Sequence, residues 1–382
     1  MRRITILLAV TAISIFLCGQ AAAEKVITLS FTGDCTIGTE ELTRHTVDSF
    51  DSVAKEKGYS YFFENFRDVF SQDDCTVVNC ECVLADSSDG EAEKDFRFRG
   101  PEEFVNIFRE GSVEAVSLAN NHSKDYGGAG LLNTIRVLEE AGIGWARDQD
   151  FYIFEKDGIR IAFAGVDHGI MQWSDYLIRD KLLKMQEDGE INAAVLMIHE
   201  GKEYSARHLG KQELYSEYFV ENAGADLVII HHPHVLQGIK ILNNRCIFYS
   251  LGNFIFGGHN IVSRNDTEGT NSLYSLVVQA QMHFSDDGVY LGQQMILYPA
   301  YDSGAYPANN YQPIRVNAEQ AVPVWEAIQY DTKWQLPSIQ TDESGRAFAI
   351  MDYLPADENR QEGIQREEGE PEAAQFQPSR NR

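Results

Sequence analysis

Ile229-Ile230-His231-His232-Pro233-His234-Val235-Leu236-Gln237-Gly238, running on to Phe248-Tyr249-Ser250-Leu251-Gly252-Asn253-Phe254, is the stretch whose reading decides the fold. The apolar run from Asp226 to Ile230 reads as a buried strand that delivers histidines at its carboxyl end. Pro233 lacks a backbone N–H and fixes φ, so the strand stops there. Residues two apart lie on one side of an extended or turning chain, so the imidazoles of His232 and His234 can converge. Imidazole is a common metal ligand, and α/β proteins keep their sites at strand ends. A polar turn with histidines as hydrogen-bonding fillers would look the same locally, so the other strand ends decide.

Working outward, Lys25–Phe31 reads as a strand followed by Gly33-Asp34. Cys75–Val78 is a short buried strand that leads into Asn79 and Glu81, again two apart. Ala115–Leu118 ends in Asn120-Asn121-His122, and the glycines at Gly127–Gly130 open a helix that reaches Ala141 and stops at Gly142. Ala193–Ile198 ends in His199. Metal-competent side chains thus close each of these strands, and a single cleft at one sheet edge accounts for all of them. Oxygen and imidazole donors together suit Mn²⁺, Fe or Zn²⁺ better than Ca²⁺ or a thiolate zinc site.

The intervening segments read as helices at Tyr61–Phe70, Pro101–Glu110 and Gln212–Ala223, from apolar residues at helical spacing. Hairpins are expected about Asp157-Gly158, Asn243-Asn244 and Asp286-Asp287-Gly288, which makes the sheets mixed. Arg97 and Arg99 form the local basic pair near the cleft and are expected either to meet an anionic substrate or to pair on the surface.

Hydrophobic residues make up 43% of the 382, enough for a substantial core, and the net charge is −26. Such a surface repels nucleic-acid phosphates, so no nucleic-acid partner is expected. Residues 1–23 carry Arg2 and Arg3, an apolar core from Ile4 to Leu17, and Ala21-Ala22-Ala23, the pattern of a cleaved export signal. The apolar core is short for a membrane span, which needs about 20 residues; an uncleaved anchor or a lipidated Cys18 is the alternative to cleavage. The product is expected to be periplasmic or secreted. Five cysteines remain after residue 23, an odd number, and Cys80 and Cys82 lack the second pair that a four-thiolate site needs. They read as structural. From about Pro355 the chain is rich in Glu, Gln, Pro and Arg, so residues 355–382 are expected to be a disordered acidic tail.

Gly33-Asp34, Asn79-x-Glu81, Asn120-Asn121-His122-x-x-Asp125-Tyr126-Gly127, His199-x-Gly201-x-Glu203-Tyr204, Gly224-Ala225-Asp226, His232-Pro233-His234-Val235-x-Gln237-Gly238 and Ser250-Leu251-Gly252-Asn253-Phe254 occur in that order. Together they resemble the CapA family of poly-γ-glutamate capsule synthesis proteins, a branch of the calcineurin-like metallophosphoesterases, over roughly Val26 to Tyr298. The resemblance implies an α/β fold, a four-layer α/β/β/α sandwich of two mixed sheets. It implies a domain at residues 24–300, with 301–354 as a C-terminal extension packing on it. It also implies one or two divalent ions per chain. Asp34 and His234 would hold one ion, Asn121, His199 and His232 the other, with Glu81 at the bridging position. His122 would be the catalytic acid. Asn79, Asp125, Glu203, Tyr204 and Asn253 would support ligands or substrate. The superfamily's first motif has aspartate and histidine two apart, whereas Asp34 is followed by Thr36, so one ion loses an imidazole that Asn79 could partly replace. The function implied is a metal-dependent hydrolase in capsule or envelope polymer metabolism, or a non-catalytic factor that binds or exports the polymer in the same cleft. Its partners would be an anionic polymer or a small phosphoester, and a membrane-bound polymer synthase complex.

Overall fold

Strand Ile159–Asp167 shows how the layers arise. Side chains alternate across a strand, so Ile161 and Phe163 face one way while Ala162, Ala164 and Val166 face the other, and all five are buried. A strand buried on both faces needs a layer on each side. In the computed structural model, which describes residues 24–90, 92–167, 174–262, 266–267 and 269–354, those layers are a second sheet and a pair of helices. The export signal and the acidic tail lie outside the described residues, and among those described no helix is long and apolar enough to cross a membrane.

Two sheets stack face to face. Across the larger one the order is Gln340–Thr341, Ala347–Asp352, Tyr290–Tyr301, Tyr274–Phe284, Lys25–Thr36, Cys75–Cys80, Ala115–Ser117 and Gly144–Ala146. Asn253–Phe256 adds to Lys25–Thr36 in parallel. Across the smaller one it is Ile239–Leu242, Arg245–Phe248, Leu227–His231, Ala193–His199, Ile159–Asp167 and Tyr152–Lys156. Both mix parallel and antiparallel pairs. Ile27, Leu29, Phe31, Val77, Val278 and Ala280 of the larger sheet meet Ile161, Phe163, Val195, Met197, Leu227 and Ile229 of the smaller in one core between the two.

Outside the larger sheet, Val78, Val116 and Leu118 pack on Phe50, Phe62, Phe66, Ile107, Phe108, Val137 and Leu138. Outside the smaller sheet, Leu196, Ile198, Val228 and Ile230 pack on Ile178, Leu182, Phe219 and Val220 from helices Ser174–Glu187 and Gly210–Ala223. The fold is therefore the four-layer α/β/β/α sandwich that the sequence implies. Beyond residue 300, helix Ala318–Tyr330 sends Val324, Trp325 and Ile328 into the central core, and Ala347–Asp352 pairs with Tyr290–Tyr301.

One segment departs from expectation. Tyr59–Phe66 winds as a 3₁₀ helix, and only Arg67–Phe70 is α-helical. In a 3₁₀ helix residues i and i+3 eclipse, so Phe63 and Phe66 share a side. Their rings sit 5.6 and 5.2 Å from that of Phe254. Aromatic packing overrides helical propensity here.

Glu114, at the start of Ala115–Ser117, accepts a 2.7 Å hydrogen bond from the Thr76 N–H, and burial pushes its carboxyl up to about 7. An acid raised in the fold costs nothing below its unfolded value and weighs against folding as pH rises toward the folded value. Glu114→Gln is therefore expected to stabilise the protein at pH 8 relative to wild type, and to lose that advantage near pH 4.5. Urea unfolding of both proteins at the two pH values checks the sign; a gain that is larger in acid would contradict it.

Candidate metal centre

Register brings the donors to one edge. Asp34 lies opposite Asn79 on one neighbouring strand and Asn253 on the other, while His199 pairs with His231 and Asp167 in the smaller sheet. Gly33 permits this arrangement: a Cβ there would meet the Gly252 carbonyl oxygen at 2.2 Å, and the Asp34 N–H donates to that oxygen at 2.9 Å. Past Leu227–His231, His232 and His234 adopt φ of 102° and 58°, so the chain coils about Pro233 and the two imidazoles stand 6.1 Å apart.

The six predicted ligands meet. Glu81 Oε1 lies 3.4 Å from His199 Nε2 and 3.9 Å from His234 Nε2. His199 Nε2 lies 2.9 Å from Asn121 Oδ1, and its ring centre is 4.7 Å from that of His232. His234 Nδ1 is 3.2 Å from Asp34 Oδ2. Two groups of potential ligand atoms, Glu81 with His199 and His232, and Asp34 with Glu81 and His234, each fall within 4.8 Å and share Glu81. A third group joins Glu203 to His232 and His234.

The electrostatics describe a centre short of positive charge. Glu81 is fully buried, and neither of its carboxylate oxygens has a hydrogen-bond partner. A buried charge without compensation is costly, so such a group neutralises or binds a cation. Burial first, then the neighbouring Asp34 charge, push Glu81 well above the usual carboxylate range. Burial also opposes charging of Asp34, but the His234 hydrogen bond and charge prevail and hold it low. His234 is raised to about 10: burial works against its charging, and the Glu81 charge and Asp34 hydrogen bond outweigh burial. Burial and the adjacent His232 keep His199 well below its ordinary value, neutral and ligand-competent. Carboxylate, amide-oxygen and imidazole donors around a buried carboxylate that lacks hydrogen bonds fit divalent Mn, Fe or Zn.

Supporting side chains surround these. Asn253 Oδ1 accepts from His234 Nδ1 at 2.9 Å, which turns Nε2 toward Glu81. The Asn79 amide donates to Asp34 Oδ1 at 2.8 Å, and its oxygen accepts from Asn120 at 3.0 Å. Its N–H end faces Asp34 and its oxygen faces Asn120, so Asn79 buttresses Asp34 instead of replacing the absent imidazole. His122 Nδ1 sits 2.7 Å from Asp125 Oδ2, and burial leads the influences that lower its pKa. The Tyr204 ring lies 5.9 Å from His234.

Three residues take parts that the sequence did not assign to them. Lys94 pairs with Asp125 at 2.6 Å and reaches the Asn121 carbonyl and His122 Nδ1 at 3.0 and 3.1 Å. Asn120 Oδ1 accepts from the His122 N–H at 3.1 Å. His231 Nε2 donates to the Thr32 carbonyl at 3.0 Å, tying the two sheets. Arg99, by contrast, is buried and spends its guanidinium on the Ala85 and Asp86 carbonyls and on Glu41. An arginine so engaged is a structural clamp, which corrects its anticipated substrate role. Arg97 is half-buried and donates to the Ala92 carbonyl at 3.1 Å. All five cysteines among the described residues are buried and free, and none joins the donor groups.

Among known proteins, the "Capsule biosynthesis protein CapA" of Bacillus anthracis is 27% identical over 290 residues, covering 69% of this chain and 66% of that protein. The "PGA biosynthesis protein CapA" of Bacillus subtilis strain 168 is 26% identical over 256 residues, covering 61% and 64%. The chain thus spans just under two thirds of the length of the curated relatives it matches. Among solved structures, a hypothetical protein from Thermus thermophilus aligns with 72% of this chain and 99% of its own, at TM-score 0.43 and 12% identity. The calcineurin-like phosphoesterase YfkN from Bacillus subtilis aligns with 72% and 91%, at TM-score 0.40 and 14% identity. The family described as "Bacterial capsule synthesis protein PGA_cap" matches residues 28–258, a span that holds every donor from Asp34 to His234. By that match this chain belongs to the bacterial capsule synthesis protein family PGA_cap.

Proposed function

We propose that this chain is an exported metal-dependent hydrolase of phosphoester or related bonds that acts in the synthesis or export of a poly-γ-glutamate capsule or another envelope polymer. The observation that carries the reading is Glu81, buried, without a hydrogen bond, and shared between two donor groups. Glu81, Asn121, His199 and His232 would hold one divalent ion, and Asp34, Glu81 and His234 the other. When bound, two such ions would supply Lewis-acid chemistry: activation of a water and neutralisation of charge at a phosphoryl centre. The chain's own residues do the rest. Asp125 fixes the His122 ring through Nδ1, and Lys94 balances the Asp125 charge. So held, His122 would act in its imidazolium form, passing the Nε2 proton to the leaving oxygen and returning to the neutral ring. The substrate is a small phosphoester or an anionic polymer, and a membrane-bound polymer synthase is the partner class. Capsule and PGA biosynthesis are what the names of the two relatives state, and they support the pathway.

Metal analysis of the purified protein tests the centre: about two ions per chain are expected. His232→Ala is expected to lose metal while its far-ultraviolet circular dichroism stays that of the wild type. A variant that keeps full metal content would remove His232 from the ligand set.

A second reading is a non-catalytic polymer-binding or export factor that uses the same cleft. Thr36 favours it, because this residue stands where the superfamily has an imidazole, and its buried hydroxyl makes no hydrogen bond. Hydrolysis of an aryl phosphate by wild type and by Asp34→Ala separates the two. Equal, background-level rates would leave only the binding factor.

A further inference from the structure

The two donor groups are unequal. Asn121 Oδ1, Glu81, His199 and His232 give one ion four protein donors, whereas Asp34, Glu81 and His234 give the other three. Asn79 presents its amide N–H to Asp34 and turns its oxygen to Asn120, so it offers no donor atom beside Asp34. Thr36 offers only a neutral hydroxyl, which supplies neither the charge of a carboxylate nor the nitrogen of an imidazole. One carboxylate remains within reach. A Glu203 oxygen, a His232 nitrogen and a His234 nitrogen lie within 4.8 Å of one another, the same span that defines the other two groups.

Backbone holds Glu203 there. Gly201 runs at φ 142°, and a Cβ on it would meet the Pro233 ring at 2.9 Å. Three residues on, Tyr204 takes φ 53° and its N–H donates to the Pro233 carbonyl at 2.8 Å. The segment Gly201–Tyr204 is therefore folded onto the residue that separates the two histidines, with Glu203 on the exposed side of the centre. Glu81, which shares His234 as a neighbour, is buried and has neither oxygen hydrogen-bonded.

We propose that Glu203 is the fourth protein ligand of the ion held by Asp34, Glu81 and His234, in place of an imidazole at position 36. The proposal rests on the metal-centre reading above and assigns Glu203 a role beyond support of the ligands. Because this carboxylate is exposed while Asp34 and Glu81 are buried, its ion is the more exchangeable of the two.

The test is titration of the metal-free full chain with Mn²⁺, followed by calorimetry and by electron paramagnetic resonance, for wild type, Glu203→Gln and Glu203→Asp. Wild type is expected to take up two ions and to show a spin-coupled pair. Glu203→Gln should bind the first ion with wild-type affinity and the second about tenfold or more weakly, with the coupled signal replaced by that of a single ion. Glu203→Asp should recover part of the second step. The side chain is exposed, so neither substitution is expected to disturb the fold, and circular dichroism checks this. Two ions bound to Glu203→Gln at wild-type affinity would overturn the assignment and leave the centre intact. A wild-type chain that takes up no Mn²⁺ would overturn the centre itself, and the assignment with it.

Discussion

Glu81→Gln is expected to abolish stable loading of both ions and, in the same step, to make the metal-free protein more stable. Both effects follow from one side chain. Glu81 is shared by the two main donor groups, so its amide replacement removes an anionic donor from each. Loss of supporting groups alone typically costs metal sites about 10–100-fold in affinity, and loss of a shared ligand should exceed that. The stability gain has a separate origin. Glu81 is raised well above its ordinary value by burial and by Asp34, so the fold penalises its charge at neutral pH. For a raised acid the stability is present below the unfolded pKa and is lost as pH climbs toward the folded one. Glutamine carries no charge to penalise, but its buried amide needs partners, which costs back about 1–3 kcal/mol if they are missing. The net is an expected gain in stability near pH 7 that shrinks toward pH 4.5. Metal analysis and urea unfolding of the metal-free protein measure the two halves. A variant that binds no metal yet is clearly less stable at pH 7 would mean that Glu81 is held by partners other than a cation.

His122→Ala is expected to cost about 10²–10⁴ in turnover of an aryl phosphate, the usual worth of a positioned general acid. Metal content should not change, because His122 belongs to none of the donor groups. The fold should survive as well: Lys94 and Asp125 remain paired at 2.6 Å, and Asp125 still accepts from the Phe98 N–H at 2.7 Å. A fall in metal content would move His122 into the ligand set. Unchanged turnover with metal in place would mean that another group protonates the leaving oxygen. The two substitutions thus fail in opposite ways, one through metal and the other through rate.

Much of this was legible from the strand ends. Unbroken apolar runs such as Ala193–Ile198 mark strands covered on both faces, and a strand's last residues must emerge at an edge, so Asp34, Glu81, Asn121, His199 and His232 declare a shared location. Which strand belongs to which sheet was not legible, because Leu227–His231 and Cys75–Cys80 are both fully buried and their partners are set by long-range register. The winding of Tyr59–Phe66 was hidden for a similar reason, since the ring of Phe254 that organises it lies far downstream in the chain. Lys94 gave no local sign either. It sits in a polar loop, and its partners Asn121, His122 and Asp125 are reached only once that loop folds back over the helix start. Arg99 misled because a basic pair looks the same in sequence whether it is solvated or buried.

The donors come from both sheets: Asp34, Glu81 and Asn121 from the larger, His199, His232 and His234 from the smaller. Neither half of the sandwich owns a complete set. On the proposed assignment neither ion has its full ligand set until the halves dock, so tight uptake would follow docking. Under the proposed centre, metal acquisition becomes a checkpoint on assembly: the finished tertiary structure would be the precondition for chemistry, and a misassembled molecule would be silent by construction.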